Sequence, residues 1–391
     1  PAKKLLYLQG NFILGLGVRY MKNNMLLWDE TIFRDPIVLE LDYLPEQFMH
    51  RDSQLQSLIY SLKPAVKGMR PINCLVYGPP GTGKTSAVLK VFEEIEAHTS
   101  NVVLVKINCQ MDSTRFAVVS RIYRKLFNID PPSSGVAFRK LFEKIVLKLI
   151  EKDRVMVVCL DDINYLFHGG HADEIMYSIL RAHEQYPGVK MGVIAIVSDT
   201  GKLYRFDPKV SSVFLPEEIE FPPYSYDEIG DIISSRIQLA FYPEVVPDQV
   251  REKIVNYVDL TGDLRVGIDL LKRSGLNAEK RASKNISEDD VDKAYESSRL
   301  LHLRRNISSL SDNEKEILRL VAENDGIKAG ELYELFNDNN ELGYTRFYSL
   351  VNKLKDSHYL DVSFSGEGMR GRTRIIRLNY PADDVIKCIR G

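Results

Sequence analysis

Eight residues constrain this chain more than any others. Residues 78–85 read GPPGTGKT, the spacing G-x-x-x-x-G-K-[ST]. They follow a short apolar run, residues 72–77, and open a stretch of helical periodicity, residues 84–97. A strand, a glycine-rich loop and a helix in that order form a cradle for nucleotide phosphates. Gly78, Gly81 and Gly83 let the backbone turn its N–H groups inward. Pro79, Pro80 and Thr82 complete the loop, and Ser86 follows in the first turn of the helix. Lys84 is expected on the β- and γ-phosphates and Thr85 on a magnesium ion. The positive N-terminus of the helix faces the same charge. The cofactors implied are ATP or ADP with Mg²⁺.

Such a loop needs an acid at the end of a neighbouring strand. The runs 102–107, 155–160 and 191–197 are apolar and β-branched, and they alternate with helical stretches. That alternation predicts βαβ units around a parallel sheet covered on both faces. The run 155–160 ends in Asp161 and Asp162. Asp161 is expected to hold Mg²⁺ through water, and Asp162 to orient or activate the attacking water. Three further positions are weaker. Ser198 ends the fourth strand, Lys209 is placed to reach a neighbour's nucleotide, and Arg265 in Gly262–Arg265 opens a helix near the γ-phosphate. Each alone is more often a solvated surface charge.

After Pro222 and Pro223 only helical periodicity remains as far as residue 303, with helix starts at Gly262–Asp263 and at Ser287. Three short helices follow, at residues 311–323, 328–337 and 344–357. Two strand-like pieces, 359–364 and 373–378, close the chain. The fold class expected is an α/β P-loop ATPase domain with a parallel sheet, an all-α lid and a C-terminal winged helix-turn-helix. The boundaries expected are 21–225, 226–305 and 306–391, with a helical insertion at about 109–153. Residues 1–20 begin with Pro1 and carry LYLQG. They read as a leader or a disordered stretch, and they stay outside the fold reading.

The formal net charge is −2, from 52 basic and 54 acidic residues. That excludes coating nucleic acid by bulk charge. Two segments depart from neutrality. Residues 343–377 hold seven basic residues against three acidic, a net of +4. In the third helix of the winged unit, Tyr344, Thr345, Arg346 and Tyr348 are expected nearest DNA, with Lys353 further along. Arg370, Arg372 and Arg374 in the wing suit phosphates or a minor groove. Residues 111–140 also carry +4, with Arg121 and Arg124 as candidate contacts; a solvated helix face reads equally well there. The four cysteines, Cys74, Cys109, Cys159 and Cys388, have no CxxC spacing and fit a reducing compartment. His168 and His171 lack the company of a metal set and read as a loop feature. No run approaches the ~18 apolar residues of a membrane span.

On these residues the chain resembles the archaeal origin-recognition and cell-division-cycle family of AAA+ replication initiators, from about Asp29 to the C-terminus. Tyr43, Leu44 and Pro45 with His50 and Arg51 look like the family's segment beside the adenine. Residues 71–85 match its phosphate loop, the insertion looks like its DNA-contacting helices, and Gly262–Arg265 matches its second sensor. The resemblance implies binding of double-stranded origin DNA, paralogous initiators as partners on DNA, and help in loading the replicative helicase. It implies a cytoplasmic, nucleoid-associated protein with no membrane partner. Three positions depart from the pattern. Asp162 stands where Glu is usual, Ser198 where Asn is usual, and Lys209 where Arg is usual. All three bear on hydrolysis, so slow turnover and a nucleotide that marks a state are expected. A clamp-loader-like or remodelling ATPase, and a nucleotide-controlled transcription regulator, are the alternatives.

Overall fold

A computed structural model describes residues 31–132, 137–167, 170–198, 206–337, 342–364 and 374–390. Helix α1 (Asp52–Val66) precedes β1 (Cys74–Tyr77), the phosphate loop and α2 (Lys84–His98). Then come β2 (Val102–Asn108), α3 (Arg115–Phe127), α4 (Phe138–Glu151) and β3 (Val155–Asp161). After them run α5 (Asn164–Phe167), α6 (His171–Leu180), α7 (Ala182–Gln185), β4 (Lys190–Val197), α8 (Pro208–Phe214) and β5 (Glu217–Glu220). The five strands form one parallel sheet in the order β2-β3-β4-β1-β5.

Both faces of the sheet are covered, which is why β3 is buried along its whole length. Leu58, Leu62, Val88 and Val91 of α1 and α2 pack on one face. Val118, Ile122, Leu141, Ile145 and Leu149 of α3 and α4 pack on the other. Burying each such side chain contributes about 1.5–3 kcal/mol. The helical insertion is therefore part of the core, and only its outer face meets solvent. Thr114 caps α3 by accepting a hydrogen bond from the Ala117 N–H.

The lid consists of α9 (Tyr226–Ala240), α10 (Asp248–Thr261), α11 (Leu264–Lys280) and α12 (Glu288–Ser308). Asp263 caps α11 and Ser287 caps α12, at the two starts expected from sequence. The lid core also takes in Ile32, Phe33, Val38 and Leu39, from a segment that the sequence reading assigned to the ATPase domain. Phe33 and Phe241 hold that segment in place, with ring centroids 4.9 Å apart.

The C-terminal unit holds α13 (Asp312–Glu323), β6 (Ile327–Lys328), α14 (Ala329–Asn337), α15 (Tyr344–Asp356), β7 (Leu360–Phe364), β8 (Arg374–Leu378) and α16 (Ala382–Arg390). Its three strands form an antiparallel sheet in the order β6-β8-β7. Helix α12 joins the last two units. Val291 and Ala294 lie in the lid core, while Leu303 and Ile307 lie in the C-terminal core.

Candidate functional site

The loop after β1 holds its shape because two of its residues have no side chain. Gly78 has φ 144°, and a Cβ there would run into the Phe221 carbonyl. Gly81 has φ 75°, and a Cβ there would run into the Asp263 carboxylate. The loop therefore touches the lid directly. Thr82 Oγ1 donates to the Pro79 carbonyl at 2.9 Å. Gly83 begins α2 without a side-chain cap, so the first N–H groups of the helix face the cleft.

Lys84 is 5% exposed, and its Nζ donates to the carbonyls of Gly78 (2.9 Å) and Pro79 (2.7 Å). Burial pulls its pKa down to about 8, against the opposing pull of Asp162. Asp161 at the end of β3 is 5% exposed. It accepts from Thr85 Oγ1 at 2.9 Å on one oxygen and pairs with Lys106 Nζ at 3.1 Å on the other. Burial and the neighbouring Asp162 push its pKa up, and Lys106 and Thr85 oppose that. Ser198 Oγ donates to Asp162 Oδ1.

These groups line a cleft of ≈ 400 Å³ with Leu41–Pro45, Gln47–Met49, Pro80, Ser86, Asn108, Arg236 and Arg265. Tyr43 and Pro45 thus line the cleft. His50 and Arg51 do not. Arg51 is 2% exposed and donates to the carbonyls of Thr82, His50 and Pro222, with its guanidinium 3.7 Å from the Tyr224 ring centroid. A guanidinium can satisfy several carbonyls at once, so it ties the phosphate loop to the segment between β5 and α9. His50 lies 3.0 Å from Asp231 on α9. Arg265 reaches the cleft but is held by Asp263, Nε to Oδ1 at 2.8 Å. Lys209 is exposed on α8 and does not line this chain's own cleft.

Among the cleft residues that sequence reasoning missed are Lys106, Asn108 and Arg236. Lys106 left a signal, being the lone charge in an apolar strand. Asn108 left a subtler one, since it ends β2 opposite Asp161. Arg236 donates to the Val38 carbonyl at 3.0 Å and lies 4.6 Å from the Tyr43 ring centroid, which fixes that ring over the cleft.

The donor set fits the implied metal. Thr85 and Asp161 offer hard oxygen ligands within hydrogen-bond distance of each other. No cluster of three or more metal-ligating side chains exists among the described residues. That suits Mg²⁺, which binds through one or two protein oxygens plus substrate phosphates. When bound, the ion would neutralise charge developing on the phosphates.

The C-terminal unit presents a second candidate surface. Tyr344, Thr345 and Arg346 are exposed at the start of α15, whose first turn lacks a side-chain cap. Tyr333, Tyr344 and Tyr348 pack in a row, with centroids 5.1 and 4.5 Å apart. Arg374 lies 5.3 Å from the Tyr348 centroid. Lys353 does not join this surface: it pairs with buried Glu314 at 2.8 Å, because that carboxylate needs a cation. Arg370 and Arg372, like His168 and residues 1–20, lie outside the described residues. In the insertion, Arg121 pairs with Asp112 and Arg124 with Asp130, so neither presents a bare charge. Among the described residues no helix is long and apolar enough to cross a membrane.

A phosphate loop on a five-stranded parallel sheet, an acid pair at the end of β3 (separated from β1 by β4, not next to it as the sequence reading expected) and a helical lid that brings an arginine to the cleft define an AAA+ ATPase. Residues 47–187 match the family described as AAA ATPase domain, and residues 230–296 the Cdc6 AAA+ ATPase-type lid domain. The chain belongs to the family of ORC1-type DNA replication proteins. It is 60% identical to ORC1-type DNA replication protein 2 of Methanosarcina mazei over 94% of this chain and 99% of that one. It is 47% identical to ORC1-type DNA replication protein 3 of Haloarcula marismortui, over 94% and 98%. Among solved structures, it is similar to the Aeropyrum pernix ORC1 protein in complex with DNA. The TM-score is 0.65 and the identity 25%, over 92% of this chain and 96% of that one.

Proposed function

We propose that this chain is a replication initiator that grips double-stranded origin DNA with its C-terminal unit, acting as a winged helix-turn-helix, and with the outer face of its insertion. Bound ATP or ADP marks its state, and hydrolysis is slow. The observation that carries the reading is one surface. The uncapped start of α15, exposed Tyr344, Thr345 and Arg346, and Arg374 beside Tyr348 are gathered on one side of the C-terminal unit. Helix N-terminal N–H groups and arginines are phosphate donors, and α15 would serve as the recognition helix. In the insertion, Arg115, Arg121, Arg124 and Lys125 each pair with an acid at the surface. Exposed pairs contribute only about 0–1 kcal/mol, so DNA phosphates can displace the acids.

Slow turnover follows from the hydrolytic groups. Asp162 is one methylene shorter than the usual Glu and is engaged by Ser198. Lys209 lacks the fork with which an arginine grips a neighbour's phosphates. Helicase loading and paralogous partners on DNA belong to the same proposal.

Duplex binding across a salt series tests it. Neutralising phosphates gives a steep fall of affinity with salt, and Arg346→Ala with Arg374→Ala is expected to reduce the log–log slope by about 2. An unchanged affinity and slope would remove the C-terminal unit from the DNA contact. Genome-wide footprinting with and without ATP separates origins from promoters, and so an initiator from a transcription regulator. Turnover as fast as that of an AAA+ motor, abolished by Lys84→Ala, would sink the switch reading.

A further inference from the structure

Lys106 has no part in the reading above, yet it lines the cleft. It is the only charged residue in β2, between buried Val105 and Ile107. Its register partner on β3 is Cys159, two residues before Asp161. The side chain therefore runs along the sheet toward the strand end, and Nζ stops 3.1 Å from Asp161 Oδ2. Thr85 Oγ1 holds the other oxygen of the same carboxylate. Both oxygens that a divalent ion's water would use are thus engaged by the chain's own donors. Lys106 also lines the cleft with Lys84 and Arg265, and it is about a third exposed, so it can let go.

We infer that Lys106 is a tethered cation that competes with the divalent ion for Asp161, so that this chain holds its nucleotide with little dependence on Mg²⁺. The inference rests on the nucleotide-binding reading of the cleft. In metal-free complexes the ammonium stays on Asp161 and supplies positive charge beside the phosphates. When Mg²⁺ enters, it must displace that ammonium, so part of its gain is spent on breaking the pair. Lys106 is a positioning residue in this scheme: it acts on the metal site through Asp161.

The test measures dissociation constants of a fluorescent ADP for the full chain, in excess chelator and across a Mg²⁺ series. For the parent, chelator is expected to weaken binding by less than about threefold. Lys106→Met is expected to lose about tenfold in chelator and to keep its affinity at saturating Mg²⁺. Its half-saturating Mg²⁺ concentration then falls by about the same factor. Lys106→Arg is expected to restore the parent profile. Loss of affinity by Lys106→Met that is equal with and without Mg²⁺ would reduce the pair to a structural contact and overturn the inference. So would a parent that loses about 100-fold or more in chelator, whatever the variants do. A parent that binds no ADP at any Mg²⁺ concentration would overturn the nucleotide-binding reading itself.

Discussion

Asp162 sits at φ 55°, a left-handed conformation that costs a non-glycine residue of order 1 kcal/mol or more. The strain follows directly on β3 and turns the carboxylate into the cleft, where Ser198 donates to it. The two short side chains meet each other across the ends of β3 and β4. If Asp162 orients the attacking water, Asp162→Asn keeps the bond from Ser198 but loses the base. Turnover is then expected to fall by about 10²-fold or more, with ADP affinity changed by less than about threefold. Single-turnover hydrolysis and a binding titration check this; unchanged turnover would move the role elsewhere. Residues such as Lys84, Thr85 and Asp161 were legible because their spacing and strand context admit one arrangement. Arg51 was not, since only the fold shows that the carbonyls of Thr82, His50 and Pro222 converge on it. Lys353 misled for the same reason, its partner Glu314 lying 39 residues away.

Among the elements, helices with strong starts were found and polar edges were missed. Ser287 opens α12 with a capping box to Asp290, and Arg281 closes on the same carboxylate at 2.8 Å. Strand β5 escaped because its sequence, Glu217–Glu220, buries only Ile219, and three glutamates hide any pattern. Its place as an edge strand beside β1 explains them, since edge charges discourage pairing with another chain. Asp290 is 1% exposed. Burial pushes its pKa up, but the bonds from Arg281 and Ser287 outweigh that and leave it below the ordinary carboxylate value. A lowered folded pKa means that the stabilisation is present above pH ~3.9 and is lost as pH falls through the folded value. Asp290→Asn is expected to cost about 1–3 kcal/mol at pH 7. The gap between parent and variant closes toward pH 3, which denaturant midpoints at several pH values measure. A gap that does not close would mean that Asp290 acts by shape and not by charge.

At the scale of the whole molecule, three units meet at Asp263. Its carboxylate lies against Gly81 of the phosphate loop and holds Arg265, and both residues lie near Tyr359 in the C-terminal unit. One residue earlier, Gly262 has no room for a side chain because the ring of His358 covers it. With α12 shared between two cores, the lid and the C-terminal unit are joined by a helix and by this contact. None of this was legible in the sequence: Gly262–Arg265 marked a helix start, but nothing local tells that residue 358 lies on top of it. A phosphate that draws Arg265 off Asp263 would disturb the seat of His358, so nucleotide state and duplex affinity should be coupled. Couplings of this kind are typically 1–3 kcal/mol, about 5–150-fold in affinity. His358→Asn tolerates the left-handed backbone at φ 59° and removes the ring from Gly262. The expected result is a ratio of duplex affinities, ADP against a non-hydrolysable ATP analogue, that moves toward one, while either affinity alone changes little. Linkage requires the converse: in the same variant, duplex DNA must lose its effect on nucleotide affinity by the same factor. If the ratio stays at the parent's value in both directions, the contact at Gly262 carries no signal, and α12 remains the one covalent path between nucleotide and DNA.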